Sequence, residues 1–207
     1  MSEFVHAWHG IVVGLEGTSV VEVIAVVLAL ASSVQEVARS RWCWLTGGLS
    51  SAILIYLALR NQLPMQGALQ ACYVVMSIYG WRHWSREASR QGTLIVTTGS
   101  WRSNLLACLV VVGITAVTAR WLATDAREAW PFLDSLTTWG SLLATWLMAR
   151  VKLENWLYWI AADSLQVFLF GAQGLYFVAL LSVVYLGVSA VGFLRWQKVY
   201  RNPIPVS

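Results

Sequence analysis

The chain has 207 residues and a formal net charge of +4; 58% of the residues are hydrophobic and only 12% are charged. Soluble domains carry about 25% charged residues, so a soluble domain of this size would lack the polar surface that it needs. The sequence also has no run of basic residues that could follow a phosphate backbone, which excludes nucleic acid as a partner. Composition therefore predicts an all-α membrane protein whose surroundings are a lipid bilayer.

Seven apolar stretches are long enough to cross a bilayer as helices, each of which needs about 20 residues. In chain order they are residues 18–36, 42–59, 63–84, 103–122, 130–149, 153–170 and 173–194. Pro64 and Pro131 fall in the first turns of the third and fifth stretches, where the missing N–H of proline is harmless. The long connection 85–102 is polar, and we predict a solvated loop there.

The distribution of Lys and Arg predicts the orientation, because cytoplasmic loops of membrane proteins are enriched in these residues. Three basic residues lie on the side of the N-terminus: Arg60, Arg120 and Arg127. Eleven lie on the other side: Arg39, Arg41, Arg82, Arg86, Arg90, Arg102, Arg150, Lys152, Arg195, Lys198 and Arg201. The segment 1–17 should therefore be extracytoplasmic and the tail 197–207 cytoplasmic. Termini on opposite sides require an odd number of spans, in agreement with seven.

An internal repeat appears when the sequence is shifted against itself by 112 positions. The identical pairs include Trp44 with Trp156, Tyr73 with Tyr185, Ser77 with Ser189, Gly80 with Gly192 and Trp84 with Trp196. This repeat predicts two three-helix bundles, residues 18–84 and 130–196, with a loop and a linker helix in residues 85–129. A bundle of three helices ends on the side of the membrane opposite to its start, so a second bundle joined directly would be inverted. The linker helix crosses the membrane once more and makes the two bundles parallel. In carriers with such parallel repeats, substrate binds near the midplane.

Ionisable groups inside a span are costly and are therefore candidates for function. Asp163 is the deepest of them, and its alternative role is a structural bond to another helix. Glu22 and Asp134 lie near the outer ends of their spans and Glu154 near an inner end, where water can solvate an acid.

One helical face of the sixth span combines aromatic, acidic and amide side chains. Its residues are three or four positions apart: Trp156, Trp159, Asp163, Gln166 and Phe170. Two indoles and a carboxylate suit a flat cationic ring, since each indole–cation contact contributes roughly 0.5–2 kcal/mol. The alternative is an aromatic belt at the membrane interface.

The third and seventh spans carry matching faces that we expect to point inward, and we include Gln70, Tyr73, Tyr185 and Ser189 among the predicted binding residues. In the second span the counterparts of Trp159, Asp163 and Gln166 are the small or apolar residues Gly47, Ser51 and Leu54. This inequality predicts one substrate site rather than two.

The sixth span begins Glu154-Asn155-Trp156-Leu157-Tyr158-Trp159. This run is similar to the ENWxxW signature of the PnuC family of vitamin transporters, which the chain resembles. The segments Ser77-Ile78-Tyr79-Gly80-Trp81 and Gln173-Gly174-Leu175-Tyr176 also resemble the family, and the likeness covers roughly residues 20–196.

The resemblance implies a fold like that of the sugar-carrying SWEET proteins and a location in the inner membrane of a bacterial cell. It implies uptake of nicotinamide riboside by facilitated diffusion, with a cytosolic kinase that traps the vitamin by phosphorylation. Thiamine is the alternative substrate, and riboflavin fits a buried Asp163 less well because it is uncharged. The resemblance also assigns Trp156 and Trp159 as a stacking pair, with Glu154 and Asn155 beside them.

Other classes of protein are less consistent with the sequence. Both lysines, Lys152 and Lys198, lie outside the predicted spans, which excludes a retinal Schiff base. No HExxH or GxSxG motif is present, and we expect neither an enzyme nor a bound metal or cofactor. A membrane sensor of small molecules could use the same pocket, and the sequence leaves the homo-oligomeric state open.

Overall fold

The computed structural model describes residue 12 and the stretches 18–62, 64–123 and 130–202. Within these residues the protein is helical, with one helix for each predicted span, which confirms the all-α prediction. The helices are α1 (Val20–Val37), α2 (Trp42–Arg60), α3 (Pro64–Gln91), α4 (Trp101–Leu122), α5 (Pro131–Ala149), α6 (Asn155–Ala172) and α7 (Tyr176–Arg201). Most of the predicted segment 1–17 lies outside the described residues.

Four of the described helices are long and apolar enough to cross a membrane by length and composition: α1, α2, α4 and α7. The other three, α3, α5 and α6, supply many of the polar residues that line the cavity described below. Polar residues that face a cavity lower the mean hydropathy of a helix without being exposed to lipid.

The connection after α3 differs from the solvated loop that we predicted. Helix α3 continues to Gln91, so residues 85–91 are helical, and α7 likewise continues past its predicted end. Residues 92–100, here called the strap, follow α3 without helical structure, and Leu94 and Val96 are buried. Thr97 donates its backbone N–H to Val151 O at 3.0 Å and accepts from Leu153 N at 2.9 Å. The prediction was wrong because two apolar residues two positions apart gave the strap a face that packs inward.

The repeat predicted from sequence is present in the backbone. Arg39 and Val151, 112 positions apart, end their respective turns with φ of 56° and 55°. Gln62 and Gly174, again 112 positions apart, have φ of 57° and 73°. A positive φ is uncommon for residues other than glycine. Its recurrence at the same offset shows that the two sets of three helices, α1–α3 and α5–α7, turn in the same way.

Contacts between helices follow the same repeat. Within each set, the middle helix packs against its two neighbours: α2 against α1 and α3, and α6 against α5 and α7. Between the sets, the first helix of each contacts the last helix of the other, α1 with α7 and α5 with α3. Helix α4 packs against α5. The two middle helices do not touch each other in the described part of the chain, which leaves space between the sets.

Four buried tryptophans, here called the tryptophan cluster, join the two sets at the end nearest the strap: Trp44, Trp84, Trp156 and Trp196. Trp44 and Trp84 meet edge-to-face at 5.4 Å, and Trp156 and Trp196 meet edge-to-face at 5.5 Å. Trp84 and Trp196 are 6.2 Å apart between ring centroids and connect the two pairs. Edge-to-face pairs are favourable because the positive ring edge meets the negative ring face.

Each pair of tryptophans depends on one glycine. A Cβ on Gly80 would lie 2.3 Å from the Trp44 ring, and a Cβ on Gly192 would lie 2.5 Å from the Trp156 ring. Both distances are far below van der Waals contact, so only glycine lets the helix backbone approach the indole this closely.

Two of the four indole N–H groups of the cluster, those of Trp84 and Trp196, also bond across the two sets of helices. Trp84 Nε1 donates to the carbonyls of Met148 and Ala149 at 3.2 and 3.1 Å, in the last turn of α5. Trp196 Nε1 donates to the carbonyl of Glu36 at 3.2 Å, in the last turn of α1. The Glu36 and Met148 carbonyls also accept backbone N–H groups from the turns that follow their helices. The indole bonds therefore add contacts that tie the two sets of helices together.

Candidate functional site

A cavity of ≈ 390 Å³ lies between the two sets of helices and is lined by residues of every helix except α4. It begins at the tryptophan cluster, where Trp44 and Trp156 form part of its wall. It reaches Gln66, Asp134 and Phe170 near the opposite ends of the helices. Its volume falls in the roughly 300–1,000 Å³ range of small-molecule sites.

Eight of the ten predicted binding residues line this one cavity. They come from three helices: Gln70 and Tyr73 from α3, Trp156, Trp159, Asp163 and Gln166 from α6, and Tyr185 and Ser189 from α7. The spacing of three and four residues places each group on one face of its helix. The structure therefore brings together residues that are more than 100 positions apart in the sequence.

Asp163 is buried, with 3% of its surface exposed. Its Oδ2 accepts a hydrogen bond of 2.9 Å from Ser189 Oγ on α7. The structural bond to a neighbouring helix is thus present, and the residue also lines the cavity. Among the described lining residues none is Lys, Arg or His, so its charge has no basic partner in the cavity wall.

The two indoles of α6 have different surroundings. Trp156 is 1% exposed and its ring is packed between Gly192 and Trp196, so its faces belong largely to the tryptophan cluster. Trp159 is partly exposed and lines the cavity, and its Nε1 is buried without a hydrogen-bond partner among the described residues. The geometry offers one indole rather than a pair for stacking, because Trp156 is already occupied.

Glu154 and Asn155, the first two residues of the signature, do not line the cavity. Glu154 Oε1 accepts from Gly99 N at 2.6 Å and from Asn104 Nδ2 at 3.4 Å, which fastens the strap to the start of α6. Asn155 is fully buried, and its Nδ2 donates to Lys152 O at 2.5 Å. In this conformation both side chains therefore hold the polypeptide around the site rather than face the cavity.

The outer acids are also separated by the structure. Asp134 lines the cavity at its far end. Glu22 instead completes a capping box at the start of α1, where its carboxylate accepts from Ser19 N at 2.7 Å. A glutamate at this position of a helix satisfies an N–H that has no partner within the helix.

Sequence reasoning missed Glu36, which lines the cavity from the last turn of α1. Ser32 Oγ lies 3.1 Å from Glu36 Oε1 and 2.8 Å from the carbonyl of Cys43. The prediction ended the first span at residue 36 and did not consider this acid. The signal was available, because Ser32, Ser33 and Glu36 are spaced three and four apart on one helical face.

Hydroxyl groups form much of the remaining wall. Ten serines and threonines line the cavity: Ser32, Ser33, Ser50, Ser51, Ser77, Thr137, Thr138, Ser141, Thr145 and Ser189. The four on α5 were not singled out from sequence, although their spacing puts them on one side of the helix. Hydroxyls both donate and accept hydrogen bonds, so such a wall can bind a polyhydroxylated ligand.

A cavity between two similar sets of helices in an apolar helical protein is the arrangement found in small-molecule membrane transporters. A sequence profile described as nicotinamide mononucleotide transporter matches residues 19–198. The chain belongs to this family, which confirms the resemblance to PnuC proteins, and its relatives are transporters rather than enzymes.

Two similar proteins have curated names. The riboflavin/roseoflavin transporter RibM of Streptomyces davaonensis is 28% identical over 174 residues, 81% of this chain and 80% of RibM. The nicotinamide riboside transporter PnuC of Escherichia coli is 27% identical over 166 residues, 68% of this chain and 70% of that protein. The crystal structure of a vitamin B3 transporter PnuC superposes with a TM-score of 0.71 at 23% identity, covering 96% of this chain and 89% of the other. The structural likeness establishes the fold.

Proposed function

We propose that this protein carries nicotinamide riboside across the membrane. The observation that supports the proposal most directly is a cavity in which buried Asp163 and the indole of Trp159 share one wall and none of the described lining residues is basic. A carboxylate without a basic partner favours a cationic ligand, and an indole adds cation–π attraction of roughly 0.5–2 kcal/mol. The pyridinium ring of nicotinamide riboside is flat, aromatic and positively charged.

The hydroxyl-rich wall distinguishes among the vitamins carried by related proteins. A ribose presents several hydroxyls that serines and threonines can bind, whereas thiamine presents one, so thiamine is the second candidate. Riboflavin, the substrate in the name of RibM, has a hydroxylated chain but an uncharged ring, which gains less from Asp163. Nicotinamide riboside alone among the three combines a cationic ring with a sugar.

The same wall argues against the phosphorylated vitamin. A phosphate group is bound in proteins by Arg, Lys or oriented N–H groups, and no described residue of the cavity wall is Arg or Lys. A kinase in the cytosol that adds phosphate would therefore keep the vitamin from leaving. This trapping explains uptake by facilitated diffusion, without coupling to an ion gradient.

For the topology we propose seven membrane spans in the inner membrane of a bacterial cell, with the N-terminus outside and the C-terminus in the cytoplasm. The two sets of three helices would run parallel as in SWEET proteins, with α4 as the linker. The excess of basic residues at the strap end supports this orientation. Reporter fusions at both termini test it, and a cytoplasmic N-terminus would contradict both the orientation and the odd number of spans.

The function is tested by uptake of radiolabelled nicotinamide riboside into proteoliposomes, with thiamine and riboflavin as competitors. We expect uptake to stop when the concentrations inside and outside are equal, and to be inhibited more by thiamine than by riboflavin. Accumulation above equilibrium that an ionophore abolishes would contradict facilitated diffusion. Binding without any uptake would favour the alternative, a membrane sensor that uses the same cavity.

A further inference from the structure

We propose that Glu36 is a second specificity-determining residue of the cavity. Glu36 and Asp163, which lie on two different helices that both pack against α7, together select a cationic substrate. The inference rests on the proposed function and names the charge that the transported molecule must carry.

The two acids approach the cavity from different sets of helices. Glu36 lies on α1 and Asp163 on α6, and these helices do not contact each other in the described part of the chain. Both helices pack against α7: Ser189 donates to Asp163 Oδ2 at 2.9 Å, and Trp196 Nε1 donates to the backbone carbonyl of Glu36 at 3.2 Å. Helix α7 therefore holds the Asp163 carboxylate directly and the backbone of α1 at Glu36.

The two acids line the same cavity, together with Tyr185 of α7. Glu36 has a neutral hydroxyl neighbour in Ser32, at 3.1 Å. Asp134 adds a third acid at the far end, and the described wall contains no basic side chain that could offset these charges.

Like charges in a poorly solvated space repel, because the electrostatic energy rises as the effective dielectric constant falls. A cationic ring between the two acids converts this repulsion into two attractions. A ligand with a neutral ring leaves the repulsion in place, and an anionic ligand increases it. The arrangement thus discriminates by charge, over and above the shape and hydroxyl contacts of the cavity.

The position of Glu36 also shows that the internal repeat does not supply this group. The residue 112 positions later is Met148, which lines the cavity but carries no charge. The first set of helices therefore contributes Glu36 and the second contributes Asp163, at positions that are not equivalent. A cation between them contacts both sets at once.

The experiment compares two ligands that differ in charge but hardly in shape: nicotinamide riboside and its reduced form, whose dihydropyridine ring is uncharged. Their affinities are measured by calorimetry on purified wild-type protein and on Glu36→Gln, which keeps the acceptor oxygen that faces Ser32. We expect Glu36→Gln to weaken binding of nicotinamide riboside by roughly tenfold, and of the reduced form by less than about twofold. Glu36→Asp, which keeps the charge, should retain affinity for nicotinamide riboside within about threefold.

Glu22→Gln is the matched control, since it removes a glutamate from the other end of the same helix, outside the cavity wall, and should change neither affinity. Unchanged binding of nicotinamide riboside to Glu36→Gln would overturn the inference while leaving the proposed function intact. An equal loss for both ligands would also overturn it, because that result indicates a structural role for Glu36. Wild-type protein that binds neither ligand would contradict the proposed function itself.

Discussion

The two sets of three helices contribute to the tryptophan cluster in the same way, but the side chains with which they line the cavity differ. Trp44 packs on Gly80 and edge-on to Trp84 in the first set, as Trp156 packs on Gly192 and edge-on to Trp196 in the second. The indole N–H of each last tryptophan bonds the final turn of the first helix in the other set. The arrangement is repeated because in both sets a tryptophan ring packs closely against the backbone of the neighbouring helix.

The side chains that face the cavity do not follow the repeat. Where the second set has Trp159, Asp163 and Gln166, the first has Gly47, Ser51 and Leu54, and all six line the cavity. The first set provides its own acid, Glu36, one helix earlier. The comparison shows that a duplicated scaffold can surround a single asymmetric site, because packing fixes only the residues that touch other helices.

The largest expected effect comes from adding a methyl group to the two glycines that pack against Trp44 and Trp156 of the tryptophan cluster. Gly80→Ala and Gly192→Ala should each destabilise the protein by about 3 kcal/mol, the upper part of the range for overpacked cores. The two losses should agree within about 1 kcal/mol, since the new methyl group meets an indole at a similar distance in both sets. Unfolding of each variant in detergent measures the loss.

Matched controls lie on the same two helices. A Cβ on Gly187 of α7 would meet nothing within 4 Å, and a Cβ on Gly67 of α3 would make an ordinary contact of 3.7 Å with Ala58. Gly187→Ala and Gly67→Ala should therefore be neutral or stabilising, because alanine favours helices by up to about 1 kcal/mol over glycine. If alanine at Gly80 and Gly192 lowers the stability no more than in these controls, the tryptophan cluster is not tightly packed against the glycines.

A smaller effect, on ligand affinity, should distinguish the cavity-lining residues of the two sets. Asp163→Asn keeps the shape and the acceptor for Ser189 but removes the charge, and should weaken binding of nicotinamide riboside about 30-fold, roughly 2 kcal/mol. Ser51→Ala, at the equivalent position of the first set, should cost about threefold at most, since a neutral hydroxyl contributes less. Calorimetry on the purified variants compares the two, and equal losses would contradict the asymmetry of the site.

The smallest expected effect tests the bonds between the sets. Trp84→Phe and Trp196→Phe keep an aromatic ring but lose the N–H that reaches a helix end, at a cost of roughly 1–2 kcal/mol each. The loss should appear in unfolding measurements rather than in ligand affinity, because neither residue lines the cavity. A large change in affinity from Trp84→Phe with unchanged stability would indicate that the cluster acts on the site directly.

Much of this molecule follows from its sequence alone. Apolar stretches of about 20 residues have few alternatives to helices in a bilayer, so the number and approximate bounds of α1–α7 were predictable. Identical residues 112 positions apart predicted the repeat, and helical spacing predicted the faces of α3, α6 and α7, which carry eight predicted residues that line the cavity. These features depend on local periodicity, which the chain displays directly.

Tertiary structure decided what periodicity could not. It placed Glu36 in the cavity wall, because the depth of a residue at a helix end depends on the helices packed around it. It assigned Trp156 to the tryptophan cluster and left Trp159 facing the cavity, although one helical turn separates the two. It also turned Glu154 towards Gly99 and buried the strap against α5 and α6, through contacts about 55 positions apart. Such contacts form only when segments distant in the sequence pack together, so they leave no local pattern from which they could be predicted.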